Sequence, residues 1–274
     1  MTSLDLFRLD GRHAIVAGGA GLLGPTFAES LLEAGALVTV LDVKDSESDS
    51  YAQQLRKRFE STYSSRICDL TKTGDVEASV AWAESRAAIS ILVNAVAIDP
   101  KNDALASPQQ STGGFTGYPV ELWRKSLEVN LTGIFLVTQA VCRRFEKQRS
   151  GVIVNVSSTY GVVGPDQRIY REGRQPPYFV KPCDYSTTKA GVLGFTRYLA
   201  AYYAQSGIRV NSLTPGGAFN NHDDAFATAY SQRTLLGRMA RRDEYKGAIL
   251  FLCSDASSYM TGANLIVDGG WTAV

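Results

Sequence analysis

Histidine is nearly missing from this chain, and its scarcity excludes whole classes of chemistry. His13 and His222 are the only two histidines in 274 residues, which leaves no material for a histidine-based metal site or a Ser-His-Asp triad. Cysteine is hardly richer. Cys68, Cys142, Cys183 and Cys253 are scattered, without C-x-x-C spacing or a nearby histidine. They read as reduced, mostly buried thiols of a cytoplasmic protein, and no metal is expected. Net charge is also lacking, since 28 basic residues face 27 acidic ones. Bulk electrostatics therefore draws the chain to neither nucleic acid nor a membrane surface. No apolar run approaches the roughly 18 residues of a membrane span. The opening Met1-Thr2-Ser3-Leu4-Asp5 has no basic or apolar region of the kind a signal peptide needs.

What is present is ordinary globular material, 45% hydrophobic and 20% charged, enough for a large core. His13 to Ala17 reads as a short apolar strand, followed by a glycine cluster and a helical pattern from Leu22 to Ala34. Within Gly18-Gly19-Ala20-Gly21-Leu22-Leu23-Gly24, glycines 19, 21 and 24 give G-x-G-x-x-G. That spacing suits a tight turn that lets backbone approach a pyrophosphate and aims a helix N-terminus at its charge. A second strand, Ala36 to Leu41, runs into Asp42, 18 residues past Gly24. An acidic side chain there accepts hydrogen bonds from the ribose hydroxyls and repels a 2′-phosphate, favouring NAD over NADP.

Further strands are expected at Tyr63–Cys68, Ile89–Asn94, Gly151–Val156, Ile208–Leu213 and Asn264–Asp268. Helices are expected at about 49–60, 72–87, 120–148, from Tyr185 to about Ser206, and at about 242–254, with short helical pieces over 222–240. Asp69 is expected to N-cap the helix from 72. Strand and helix alternate without repeat or linker. The fold class is therefore α/β, a single-domain, Rossmann-type, doubly wound parallel sheet of about seven strands flanked by helices. Two long loops interrupt it, about 97–119 and 159–182, and loops of that length are usually functional or mobile.

The stretch Tyr185-Ser186-Thr187-Thr188-Lys189 places a phenol and an ammonium four residues apart, on one face of a helix. A fixed cation favours the phenolate and is expected to lower the Tyr185 pKa from about 10 toward neutrality. Such a pair arises by chance often enough to mean little alone. Asn130, amid Leu127, Val129, Leu131 and Ile134, is either a satisfied core amide or a site residue.

Taken in order, the glycine turn, Asp42, Asp69, Asn94, Asn130, Ser158, Tyr185, Lys189, Pro215-Gly216 and Val267-Asp268-Gly269-Gly270 resemble the short-chain dehydrogenase/reductase family over about residues 9–272. The resemblance implies one dinucleotide-binding domain over 1–274, with the two long loops as active-site insertions. It implies that Tyr185 is the general acid–base and that Lys189 lowers its pKa and holds the nicotinamide ribose. Ser158, in Asn155-Val156-Ser157-Ser158, would hold the reacting oxygen, and Asn130 would anchor a water leading to Lys189. Gly18, Gly21, Leu23, Asp42, Asp69, Leu70, Asn94, Pro215 and Gly216, with Tyr185 and Lys189, would line the dinucleotide. A small-molecule substrate and a homodimer or homotetramer are implied too. The long helices around 120–148 and 183–206 would pack across subunits. The stripe Val192, Leu193, Phe195, Leu199, Tyr202 suits that packing and core packing equally.

The chain departs from the family's common pattern in several places. Ala17 replaces a Thr and Leu22 a Gly, so the turn has the spacing of the extended branch of sugar-nucleotide epimerases and dehydratases. Only 85 residues (190 to 274) follow Lys189, however, too few for that branch's substrate domain. Asn94-Ala95-Val96-Ala97 stands for N-N-A-G, and Asn220 stands where a Thr often meets the carboxamide. Ser158 and Tyr185 are 27 positions apart, an insertion that carries Arg168, Arg171, Arg174 and Lys181 against Asp166 and Glu172. Two readings fit that loop: a clamp for an anionic, phosphorylated or nucleotide-activated sugar, or a solvated loop whose arginines pair with its own acids or with a neighbouring subunit. The stretch from Ser158 to Gln167 is also similar to members linked to bacterial surface-sugar and flagellin-glycan synthesis. The expected activity is NAD-dependent oxidoreduction of a polar secondary alcohol or ketone. A non-catalytic dinucleotide-binding regulator and an epimerase or dehydratase with retained NAD are the alternatives.

Overall fold

Each apolar run becomes a strand of one sheet. The computed structural model describes residues 2–44, 50–99, 114–171 and 180–274. Its strands are β1 (His13–Ala17), β2 (Leu37–Asp42), β3 (Tyr63–Ile67), β4 (Ile91–Asn94), β5 (Gly151–Val156), β6 (Ile208–Pro215) and β7 (Asn264–Val267). They pair in parallel in the order β3-β2-β1-β4-β5-β6-β7. The chain starts in the middle, walks to one edge and returns to build the other half. The reversal falls between β1 and β4, where Ala17 pairs with both Leu41 and Asn94. Ligands of such sheets bind beside that reversal, at the C-terminal strand ends.

Among the described residues eight α-helices cover the faces: α1 (Gly24–Glu33), α2 (Ser50–Arg58), α3 (Thr73–Glu84), α4 (Val120–Leu127), α5 (Ile134–Gln148), α6 (Cys183–Tyr202), α7 (Asp224–Arg233) and α8 (Lys246–Cys253). Side chains alternate across a strand, so β1 feeds two cores. Ala14 and Val16 join Phe27, Leu31, Ile249 and Leu252 under α1 and α8. Ile15 and Ala17 join Val80, Val141, Phe145 and Leu199 under α3, α5 and α6. Burial on both faces explains why β1 and β5 are buried along their whole length and read as unbroken apolar runs. A third cluster, Tyr160, Ile169, Tyr170, Phe226, Tyr230, Met239 and Trp271, binds the segment after β5 to α7.

Several expected boundaries shift. The helix expected over 120–148 is broken by a π turn, Glu128–Gly133, centred on Asn130. Such turns mark sites where side-chain demands override regular winding. The helix from Tyr185 begins at Cys183 and ends at Tyr202, short of Ser206. The helix expected from 242 opens with a 3-10 turn, Arg242–Tyr245, fixed by Glu244 accepting from the Arg241 amide at 2.8 Å. Asp69 does not cap α3. The cap position is Lys72, and Asp69 Oδ1 instead accepts from the amide (3.0 Å) and hydroxyl (2.7 Å) of Thr71. Residues 45–49, most of the 97–119 loop (100–113) and 172–179, which include Glu172 and Arg174, lie outside the described residues.

Candidate active site

The glycine turn is a place where main chains touch. Gly18 has φ +79°, and a Cβ there would lie 2.5 Å from Val96 Cα, in the backbone that follows β4. A Cβ on Gly24 would lie 2.5 Å from Gly19 Cα. Side chains are excluded, so β1, the start of α1 and the segment past β4 close on one another. Leu23 occupies the cap of α1 and supplies no side-chain hydrogen bond, with Pro25 in the first turn. The amides at that helix end thus receive no side-chain cap from Leu23. Asp42 ends β2 directly beside the turn, its Oδ2 accepting from the Ala20 amide and its Oδ1 from the Lys44 amide, both at 3.0 Å.

The other cofactor candidates occupy the neighbouring strand ends. Asp69 and buried Leu70 follow β3. Asn94, fully buried at the end of β4, donates to Thr138 Oγ1 (2.9 Å) and Asn155 Oδ1 (2.8 Å). It therefore braces β4, β5 and α5. Pro215 ends β6, and the Gly216 carbonyl accepts from the Tyr245 hydroxyl at 3.0 Å. Asn220 faces away, with Oδ1 held by Arg242 at 2.5 Å.

The four catalytic candidates meet where β4, β5 and α6 converge. Helical spacing stacks Tyr185 and Lys189 one turn apart on α6. Lys189 is 2% exposed, and its Nζ donates to the Val156 carbonyl at 2.8 Å. Ser158, two residues past β5, lies near enough to Tyr185 to favour its phenolate, and its Oγ accepts from the Tyr160 amide at 3.2 Å. Asn130 is fully buried and works as a strap. Its Oδ1 accepts from the Ile98 amide at 2.7 Å, and its Nδ2 donates to the Ile98 carbonyl and the Thr188 hydroxyl, both at 3.1 Å. Thr188 in turn donates to the Tyr185 carbonyl at 3.0 Å. Asn130 is thus a satisfied core amide that ties the segment after β4 to the helix carrying Tyr185 and Lys189.

The sequence profile of the short chain dehydrogenases matches residues 12–230, from β1 through most of α7. The chain belongs to that family. Cis-4-hydroxycyclohexanecarboxylate dehydrogenase of Sinomonas cyclohexanicum is 37% identical over 268 residues, 96% of this chain and 97% of the relative. Galactitol 2-dehydrogenase (L-tagatose-forming) of Cereibacter sphaeroides is 33% identical, covering 97% of each. The crystal structure of a gluconate 5-dehydrogenase from Burkholderia cenocepacia J2315, in complex with NADP and tartrate, superposes with a TM-score of 0.82 at 31% identity over the full length of both chains. This short-chain dehydrogenase is accordingly an oxidoreductase of CH–OH groups, with the Rossmann-type fold expected of it.

Electrostatics overturns one expectation for this dehydrogenase. Burial, reinforced by the charge of Asp99, pushes the Tyr185 phenol up rather than down, and the nearby Ser158 hydroxyl pulls the other way. Lys189 is itself pushed down to about 8 by burial, against the pull of Asp99 and with help from Lys181. Desolvation outweighs the neighbouring cation, because both groups share one low-dielectric pocket.

The described part of the insertion has several of its bases paired. Arg168 lies bidentate on Asp166 at 2.8–3.1 Å, and Arg233 reaches the same carboxylate at 2.5 Å. Lys181 pairs with Asp99. Arg168 is thus taken by an acid of the loop itself, and nearly buried Lys181 by an acid from outside the loop. Sequence reasoning missed Asp99, Tyr160, Tyr230 and Trp271. It placed Lys181 only among loop charges, although its spacing, four residues before Tyr185 as Lys189 is four after, was a usable signal.

Proposed function

We propose that the protein interconverts a secondary alcohol and its ketone on a polar, polyhydroxylated, sugar-like substrate, using NAD(H) in preference to NADP(H). The observation that carries this reading is the convergence of Ser158, Tyr185, Lys189 and Asn130 beside the glycine turn and Asp42. The cradle fits a nicotinamide dinucleotide: main-chain contact at Gly18 and Gly24 clears the way for the pyrophosphate. Gly18, Gly21 and Leu23 would face the phosphates, Asp42 the adenosine ribose, and Asp69 and Leu70 the adenine. Asn94 would support the middle of the crevice, with Pro215, Gly216, Tyr185 and Lys189 around the nicotinamide end. Bound there, the nicotinamide supplies the hydride acceptor for oxidation and the donor for reduction.

The chain's own residues handle the proton. Ser158 holds the substrate oxygen, and Tyr185 takes its proton in oxidation or returns it in reduction. Lys189, anchored on Val156, provides the charge that a phenolate needs in a buried place. Asn130 keeps the segment after β4 against α6, so the pocket is preorganised. Among the described residues, Asp99, Tyr160 and Lys181 border the substrate side. A phosphorylated or nucleotide-activated sugar is disfavoured by the pairing of Arg168 with Asp166. Relatives acting on galactitol and a hydroxycyclohexanecarboxylate favour smaller polar alcohols over surface-glycan precursors.

After α6 the chain adds β6, α7, α8 and β7, which extend the same sheet and its helical cover. We place the enzyme in the cytoplasm, consistent with four free cysteines. Among the described residues no helix is long and apolar enough to cross a membrane. Exposed Phe135, Tyr198 and Tyr202 on α5 and α6 support a homodimer or homotetramer. Val192, Leu193 and Leu199 of the same stripe are core. The test is nicotinamide absorbance with NAD and NADP against galactitol, D-threitol, gluconate, cis-4-hydroxycyclohexanecarboxylate and a nucleotide-activated sugar. NAD-linked turnover of the first four kinds is expected. Silence on all, with NADH still bound, would support a regulator instead.

A further inference from the structure

Two charges beside Tyr185, one buried and one half-buried, take no part in the steps above. Asp99 lies five residues past β4, and Lys181 lies two before α6. Their side chains are 25% and 4% exposed, and they form an ion pair. The Lys181 ammonium stands 4.1 Å from the centroid of the Tyr185 ring, closer than Lys189 at 5.8 Å. Both partners are held in place. The Lys181 amide donates to Gln167 Oε1 at 2.9 Å, and Gln167 Nε2 donates to the Lys181 carbonyl at 3.1 Å. On the other side Asn130 grips Ile98, the residue before Asp99, through both its amide and its carbonyl. A buried ion pair contributes little net stability because desolvation offsets its attraction. Stability alone therefore gives a weak reason for setting this pair on the face of the reacting phenol.

We propose that the Asp99–Lys181 pair is a positioning element that sets the pH range over which Tyr185 exchanges its proton, Lys181 favouring the phenolate and Asp99 opposing it. The inference rests on Tyr185 being the acid–base and deepens that reading. Among the described residues, the other groups facing Tyr185 are Lys189 on α6, Ser158 and Tyr160 after β5, and Tyr230 on α7. Asp184 is occupied by Ser126 and by the Tyr185 amide. Of these, Lys189 is the only cation, and it sits on the side of the ring that Val156 fixes. Asp99 raises both Tyr185 and Lys189, as a negative charge shared between them must. Lys181 is placed to cancel that charge locally. Neither residue touches the reacting atoms, and each acts through Tyr185.

Because the two charges oppose each other, their removal has opposite signs. Asp99→Asn, which keeps the shape, should move the acidic limb of kcat for galactitol or D-threitol oxidation with NAD about one pH unit lower. Lys181→Met should move it about one unit higher, the Asp99→Asn/Lys181→Met double variant should return near the parent, and Lys181→Arg should stay there. A readout without turnover is the ultraviolet absorbance of the phenolate, with and without added NAD, after subtracting the matching Tyr185→Phe protein. It should show the same order. Identical profiles for parent, Asp99→Asn and Lys181→Met would overturn the proposal and leave the pair a brace. If Lys181→Met does not fold, Asp99→Asn against Lys181→Arg decides by the same rule. Full turnover by Tyr185→Phe would remove the acid–base reading itself, an outcome distinct from unshifted profiles in an enzyme that needs Tyr185.

Discussion

The two halves of the site are made of different material. On the dinucleotide side, β1, α1 and the segment after β4 meet through main chain, at distances that leave no room for a single Cβ at Gly18 or Gly24. On the substrate side, the segment after β5, α7 and the C-terminal tail meet through side chains. Trp271 stacks on Tyr230 at 4.2 Å, Tyr160 and Tyr170 share a hydroxyl contact of 3.0 Å, and Asp166 gathers Arg168 and Arg233. Main-chain contact tolerates almost no substitution, whereas stacked rings and exposed ion pairs can be exchanged without disturbing the sheet. The first half is suited to a ligand that never varies and the second to one that does.

The largest test of that contrast lies where the halves join. Tyr185→Phe should lower kcat by about 10³-fold, within the range for losing a general acid–base, while NADH binds as before. Retained turnover would mean the proton travels by another route. Next comes the main-chain half. Gly18→Ala must accept a positive φ and a clash with Val96 backbone, so a loss of about 3 kcal/mol and weakened NADH binding are expected. An unchanged Tm would show the cradle to be soft.

Lys189→Met should abolish turnover yet stabilise the protein alone. A lysine whose folded pKa is depressed to about 8 from 10.5 carries its burial penalty below about pH 8. The penalty fades as pH rises from there toward 10.5. The stability gap between variant and parent should therefore be widest near neutrality and shrink through that window. A gap constant with pH would contradict the buried charge. Asp42→Ala should cost about tenfold in the NAD-over-NADP ratio of kcat/KM, roughly 1.4 kcal/mol, and an unaltered ratio would remove Asp42 from cofactor choice. Smallest of all, Arg168→Ala breaks a pair whose arginine side chain is 80% exposed. It should change Tm and the KM for galactitol by very little; a several-fold rise in KM would restore the anionic clamp.

The same contrast explains how much the sequence disclosed. Strands such as Ile91–Asn94 and Gly151–Val156 were legible because burial on both faces writes a continuous apolar run. The glycine turn, Asp42, Tyr185 and Lys189 were legible because each belongs to a short-range spacing. The sign of the Tyr185 shift was not, since desolvation depends on groups such as Asp99 that sit 86 positions away (99 to 185). The π turn at Asn130 was hidden for a related reason. Its cause is a bond to Ile98, 32 residues earlier, and no local periodicity records it. Asp69 shows the opposite failure, a plausible helix cap claimed instead by the nearer Thr71.

The Asn130 strap also bears on when the enzyme becomes competent during folding. It closes contacts across 32 and 58 residues, to Ile98 and to Thr188, and such closures wait until loop entropy has been overcome by docking of the intervening elements. The pocket is therefore among the last parts to form: in refolding, helical signal returns first and the ability to turn over substrate follows only when α6 seats against the π turn.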